Sequence, residues 1–357
     1  MTLPLTGVDS FTGIHPFLLV LAAAGLDRLV GDPRRCLHPV VVMGWCISQL
    51  RRLAEQWAGD RPTALRLAGG LITLVLVGGS GALGWLVEQG ARQLPWPIGT
   101  LALLVALASA LAGRSLEQAV NTVLEALPRR GQGVIEGNDA QLEPARVALG
   151  WIVGRSTDQL DRPGILRAAA ETASENAVDG LFAPLFWMLL GALLWSVGAS
   201  IAPGPLALAW AFKAASTLDS MLGYRQGRLR WLGTAGARLD DLLVWLPCRL
   251  VVVSLPLVAG VGPRCTWRLV VAAQQDGRPD PSPNAGLSQA IYAQVLQIQL
   301  GGMNRYGDQL KSKPLLAAGC PAPTATKVRA MLQLSRRLEL VWALVGLGVG
   351  WASAAAQ

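Results

Sequence analysis

Six apolar regions alternate with charged stretches along this chain, at residues 14–26, 67–87, 98–112, 180–212, 242–262 and 340–356. A helix that crosses a bilayer needs about 20 predominantly apolar residues, so the pattern predicts membrane helices. The fourth region holds 33 uncharged residues, too many for one crossing, and Pro203-Gly204-Pro205 inside it is a turn signal that divides it into two helices. The fifth is interrupted by Pro247, Arg249 and Pro256. A charge at mid-depth costs about 3 kcal/mol unless it faces protein or water, so a broken, re-entrant hairpin is expected there. The first 26 residues contain no Lys or Arg, which distinguishes the first apolar stretch from a cleaved signal peptide and predicts a retained membrane helix.

Composition points the same way. Apolar side chains make up 52% of the 357 residues and charged ones only 15%, against about 25% charged in soluble domains. The expected class is all-α: a polytopic helical membrane protein, one integral-membrane domain over residues 1–357, with about six crossings, the broken hairpin and helical cytoplasmic loops. Residues 27–66 and 113–179 hold seven Arg each, 213–241 five Lys or Arg and 264–339 ten, whereas 88–97 holds only Arg92. Positive residues mark cytoplasmic loops, so these four long loops are expected on the cytoplasmic face of the inner, plasma membrane, with both termini outside. The hairpin keeps the last loop on that face. The net charge of +8 is scattered between apolar segments and lacks the clustering of a nucleic-acid footprint. Five cysteines without a C-x-x-C pair and two histidines exclude a disulfide scaffold and a zinc cluster.

The polar stretches carry the chemistry. In ILRAAAETASENAVD (residues 165–179), Glu171, Glu175 and Asp179 recur every four residues, which stacks three carboxylates on one helical face. Like charges at that spacing repel and call for open water or a cation such as Mg²⁺. A solvated face accounts for such a stripe by itself; Asn176 beside it and the entry into membrane at Gly180 favour a site at the bilayer surface. KAASTLDSMLGYR places Lys213, Asp219 and Arg225 at another membrane boundary, the cations suited to phosphate and Asp219 to metal or a proton. Snorkelling explains the two cations but not the acid and hydroxyls. In ARLDD, Arg238 precedes Asp240 and Asp241; either acid could serve a helix N-terminus, and the pair exceeds that need. Arg114 and Arg155, each followed by a hydroxyl, suit anions. Asp27 precedes a Gly-Asp-Pro turn that contains Asp32, and His38 reads as a local hydrogen-bonding residue. Residues 281–304 carry no charge and four Gln, and suit an amphipathic helix. No Walker A loop, dinucleotide fingerprint or G-x-S-x-G elbow is present.

Taken in this order, DRLVGDPRRCLHPV, AGRSL, GWIVGR, ETASENAVDGLFAPLF, KAASTLDSMLGYR, GARLDD, SPNAGLSQA and LGGMNRYG with the following Lys313-Pro314 resemble the adenosylcobinamide-phosphate synthase family. These are the integral-membrane enzymes of cobalamin biosynthesis also called CbiB or CobD. The chain departs from the family pattern at Ser156, where an acid is usual, at Trp245 and at Cys248; if that acid is catalytic, Asp158 must substitute for it. The resemblance implies ATP- and Mg²⁺-dependent joining of adenosylcobyric acid to aminopropanol phosphate or threonine phosphate. For that chemistry Glu171, Glu175, Asp179 and Asp240 or Asp241 are the candidates for metal. Arg155, Lys213, Arg225 and Arg238 go to phosphates, Asn176 and Asn284 to substrate, and Asp219, with Glu175 and Asp241, to catalysis. The expected partners are these substrates, the lipid bilayer, and a second copy or other corrinoid-pathway enzymes, with no nucleic acid. Two other classes compete: a secondary transporter, which needs acids near the midplane and repeated halves, and a scaffold for the pathway, which would tolerate loss of the acidic stripe.

Overall fold

A computed structural model of the chain describes residues 15–31, 38–128, 139–198, 201–306 and 309–355; the turn at Asp32 lies outside them. The first part runs α1 (Pro16–Val30), α2 (Pro39–Ala58), α3 (Pro62–Gln93), α4 (Trp96–Ala108), α5 (Gly113–Ala126), α6 (Asp139–Gly150) and α7 (Arg162–Ala177). A π-helical turn (Val178–Phe182) leads into α8 (Ala183–Ser196), followed by α9 (Pro205–Leu222), α10 (Leu229–Leu232) and α11 (Thr234–Val258). The last part is α12 (Pro263–Gly277), α13 (Ala285–Leu296), the hairpin β1 (Leu300–Tyr306) and β2 (Gln309–Leu316), and α14 (Ala325–Ala355). Proline opens α1, α2, α3, α9 and α12, where its missing N–H costs nothing and its fixed φ already suits the helix. His38 caps α2 by accepting from Val40 N at 3.4 Å.

The chain is an all-α membrane protein; among the described residues its one sheet is the antiparallel hairpin. Four helical stretches there are long and apolar enough to cross a membrane: Pro62–Gln93, Trp96–Ala126, Arg162–Ser196 and Thr234–Val258. Helices α1, α9 and α14 lie in the remaining apolar regions, and α8 and α9 are separate helices, α9 starting at Pro205 of the expected Pro203-Gly204-Pro205 signal.

The broken hairpin at 242–262 is not found. Helix α11 continues through Pro247 and ends only at Val258. Proline at 247 leaves the carbonyl four residues back without its helical donor. Trp187 supplies the donor, with its indole Nε1 3.2 Å from Leu243 O. Arg249, the charge taken as a reason for a break, is met by protein: its guanidinium donates to Trp245 O, Asn284 Oδ1 and Pro283 O at 3.0, 2.6 and 3.0 Å and lies over the Trp245 ring. A paired charge does not need the helix to open.

The chain divides into two compact units. The first comprises Met1–Ala112, Asp179–Val244 and Leu340–Gln357. Its core packs α9 against α3 and α8, and α1 against α4 and α8. Glu88 of α3, fully buried, accepts from Gly204 N, Leu206 N and Ala207 N at 3.0, 2.7 and 3.1 Å and so satisfies the N-terminus of α9, which has no side-chain cap of its own.

The second unit comprises Gly113–Val178 and Trp245–Glu339. It packs α5 on α6 and α7, α12 on α13, and α13 on α7 and both strands. Because one compact unit is built from both stretches, single cysteines placed in 113–178 and in 264–339 are expected to react from the same side of the membrane. Labelling of intact and of permeabilised cells with an impermeant thiol reagent checks this; opposite sides for the two stretches would contradict the unit.

Candidate functional site

Helix α7 starts where Asp161 accepts from Gly164 N at 2.8 Å, with Pro163 in its first turn. Its sequence carries Glu171 and Glu175 on one face, as the four-residue spacing predicts. Neither carboxylate is merely solvated. Glu171 is buried and both its oxygens are engaged: Oε2 by Arg155 Nη2 at 2.5 Å and Oε1 by the backbone N–H of Gly301 at 2.9 Å. Arg155, with only 7% of its side chain exposed, also donates from Nη1 to Asn304 Oδ1. Arg167, one turn before Glu171, holds its Nη2 2.9 Å from Met303 O.

The hairpin reaches this helix because of a bulge in β1 between Leu300 and Gly302. Gly301 and Gly302 both have positive φ, +82° and +94°, and a Cβ on Gly301 would stand 1.9 Å from Pro314 O. Only glycine fits there. The bulge re-aims the strand, as bulges do beside functional sites, so that Gly301 N meets Glu171 and Asn304 meets Arg155.

One turn along α7, Glu175 Oε2 accepts from Gln289 Nε2 at 2.7 Å; Gln289 is itself buried on α13. The charges of Lys313, Asp280 and Glu171 act on Glu175. Lys313 of β2 faces Asp280 at 3.8 Å, and Asp280 also accepts from Ser282 N. Asn284, buried, takes the Arg249 guanidinium on its Oδ1, and Cys248 donates its Sγ–H to Asn284 O at 3.5 Å. The second unit therefore has a balanced polar centre: Arg155 with Glu171, Lys313 with Asp280, and Glu175 held by a neutral amide. Ser156 is fixed through its backbone N–H on Arg305 O, and Asp158 is exposed. Asn176 is half-buried beside Glu175. Asp179 stands at the start of the π turn and belongs to the first unit.

The first unit carries its own acidic group. Gly233 packs so closely on the end of α9 that a Cβ would lie 1.9 Å from Leu222 O, and Gly236 lies against Leu218. Asp240, one turn after Gly236 on the same face of α11, is thereby brought to α9, where the charges of Asp219, Asp241 and Lys213 act on it. Its Oδ1 is buried with no hydrogen-bond partner among the described residues. Arg225 and Arg238 are both exposed. Nearby, Arg228 Nε hydrogen-bonds Asp60 Oδ1 at 2.7 Å, and this bond, with the guanidinium charge, holds the Asp60 carboxyl below its ordinary range.

No group of three or more His, Cys, Asp and Glu suited to a metal ion is found among the described residues. Mg²⁺ does not require one. It keeps several waters and uses one or two carboxylates together with substrate phosphates. The buried, unsatisfied oxygen of Asp240 beside Asp219 fits that use; Glu171, with both oxygens occupied, does not.

Gln289, Asn304, Lys313 and Asp280 did not stand out as site residues in the sequence. For Asn304 the available signal was the Gly301-Gly302 pair directly before Met303-Asn304, since glycine inside a strand marks a bulge or a close approach.

The family model described as CobD/Cbib protein matches residues 20–335. The cobalamin biosynthesis protein CobD of Synechocystis sp. is 41% identical over 339 residues, which cover 94% of this chain and 93% of that one. The cobalamin biosynthesis protein CbiB of Salmonella typhimurium is 36% identical over 319 residues, 89% of this chain and 90% of that one. CobD of Pelobacter propionicus is 35% identical over 335 residues, 94% and 95% of the two chains. No solved structure matches the chain.

Proposed function

The chain belongs to the CobD/CbiB family, and we propose that it serves cobalamin biosynthesis as an adenosylcobinamide-phosphate synthase. In this reading it joins the carboxylate of adenosylcobyric acid to the amine of aminopropanol phosphate or threonine phosphate, at the expense of ATP. The observation that carries the reading is the polar centre of the second unit, in which Asn304, Arg155 and Glu171 are fixed by one another, Gln289 holds Glu175, and Lys313 pairs with Asp280. Most of them come from the segments that carry the family resemblance.

A carboxylate is a poor electrophile and must be activated. One of its oxygens attacks the γ-phosphorus of ATP, ADP leaves, and an acyl phosphate forms. The amine then attacks the acyl carbon, the C–O bond to phosphate breaks, and inorganic phosphate departs. The amine arrives as an ammonium ion and must first lose a proton. We assign that proton to Glu175, whose carboxylate is positioned by Gln289 without being neutralised in a direct ion pair of its own. Arg155, held by Glu171 and Asn304, is a pre-set donor for an oxyanion. In the first unit Asp219 and Asp240 are the carboxylates for Mg²⁺, and Lys213 the cation for phosphate. Mg²⁺, when bound, offsets phosphate charge during transfer. Arg225 and Arg238 remain candidates for the same phosphates, and Asp241 for the metal or a proton. We place the protein in the inner membrane, with the second unit's stretches 113–178 and 264–339 on the cytoplasmic side.

The test is to incubate the purified chain with adenosylcobyric acid, ATP, Mg²⁺ and each amine, and to follow the amide by mass spectrometry. Product that depends on all four components supports the reading. Absence of product with either amine overturns it in favour of a transporter or a scaffold.

A further inference from the structure

Asn304 combines two properties that a purely structural residue would not need. It is 3% exposed, and its side-chain Oδ1 accepts from Arg155 Nη1. Arginine donates and never accepts, so the amide cannot be turned around: oxygen must face Arg155 and Nδ2 must face elsewhere. That Nδ2 is buried and has no hydrogen-bond partner among the described residues. A buried donor left unsatisfied is costly, and nearly all such groups in native proteins find a partner. The bulge at Gly301 and Gly302, which strains β1 into reach of α7, is what sets Asn304 in this position.

We propose that Asn304 is a substrate-contacting residue, whose Nδ2 donates to an oxyanion oxygen, carboxylate or phosphate, held beside Arg155. The inference rests on the ligase reading. Arg155 and Glu171 cancel in charge, so a neutral donor at their edge can bind an anionic oxygen without adding a second uncompensated cation. Asparagine is suited to this because one end fixes the cation and the other is presented to the ligand.

Asn304→Asp separates the two ends. Aspartate keeps the acceptor for Arg155, and strengthens it as a charged partner, but has no N–H to give. If Asn304 only fixed Arg155, the added charge would weaken the anionic substrates alike. A substrate contact predicts instead that in the detergent-purified full chain KM for one substrate rises roughly ten- to hundredfold while the others change little, the loss of one hydrogen bond to a charged group. A rise for adenosylcobyric acid assigns the oxygen to the carboxylate; a rise for threonine phosphate or aminopropanol phosphate assigns it to the phosphate. Asn304→Ala, which removes both ends, should lose stability as well as binding.

A readout that needs no turnover is the rise in unfolding temperature that each of these three compounds confers. The wild type should show it with at least one compound, and Asn304→Asp should lose it with that same compound. Equal shifts in wild type and Asn304→Asp, or no shift in the wild type with any of the three, overturns the proposal. Shifts that behave as expected in a chain that forms no amide would instead defeat the ligase reading and leave the contact standing.

Discussion

Replacing Glu171 with Leu is expected to destabilise the second unit by about 3–5 kcal/mol, the cost of leaving one partner of a buried ion pair without the other. Arg155 and Glu171 have side chains only 7% and 5% exposed, so water does not screen the stranded guanidinium. Gly301 N loses its acceptor in the same step, which adds to the cost. Thermal unfolding of the detergent-purified protein should show the loss as a large fall in midpoint. The double replacement Glu171→Leu with Arg155→Met removes the stranded charge and should recover a substantial part of it. Should the double variant unfold at the same temperature as the single one, the pair would not be the anchor described here.

Glu175→Gln should have the opposite profile. Glutamine keeps the shape and still offers an oxygen to Gln289 Nε2, so the unfolding midpoint should move little. Turnover should fall by roughly 10²- to 10⁴-fold, the range for loss of a general base. The measurement is kcat for amide formation beside the melting midpoint of the same preparation. Turnover within a few-fold of wild type would reduce Glu175 to a structural carboxylate and return the proton to Asp219 or Asp241.

The contrast between these two acids was not readable from their spacing. A single sequence shows that Glu171 and Glu175 share a face of α7, and the structure keeps them there. It does not show that Glu171 is met by Gly301, 130 residues away in the chain, or that Arg155, which pairs with Glu171, is met by Asn304, 149 residues away. Local pattern reports local geometry, and partners closed by long loops leave no periodic trace. The apolar regions were legible for the complementary reason: each is a property of one contiguous stretch, and helix forms most of the described residues in each. Where the reading failed, at α11, it treated Pro247 and Arg249 by themselves. Trp187 satisfies the carbonyl that the proline strands, and Asn284 and Pro283 take the guanidinium. The β hairpin was missed because uncharged, Gln-containing sequence around residues 289–299 suits a helix up to Leu296, and the change to strand is marked only by two glycines.

The most direct test of the proposed chemistry follows oxygen. Adenosylcobyric acid labelled with ¹⁸O in both oxygens of its reactive carboxylate is incubated with the purified chain, ATP, Mg²⁺ and threonine phosphate or aminopropanol phosphate. Inorganic phosphate and the amide are then weighed by mass spectrometry. Activation as an acyl phosphate predicts one ¹⁸O in the phosphate released per amide formed, with the other retained in the amide carbonyl. Label in AMP, unlabelled phosphate, or ATP hydrolysis without amide would contradict it.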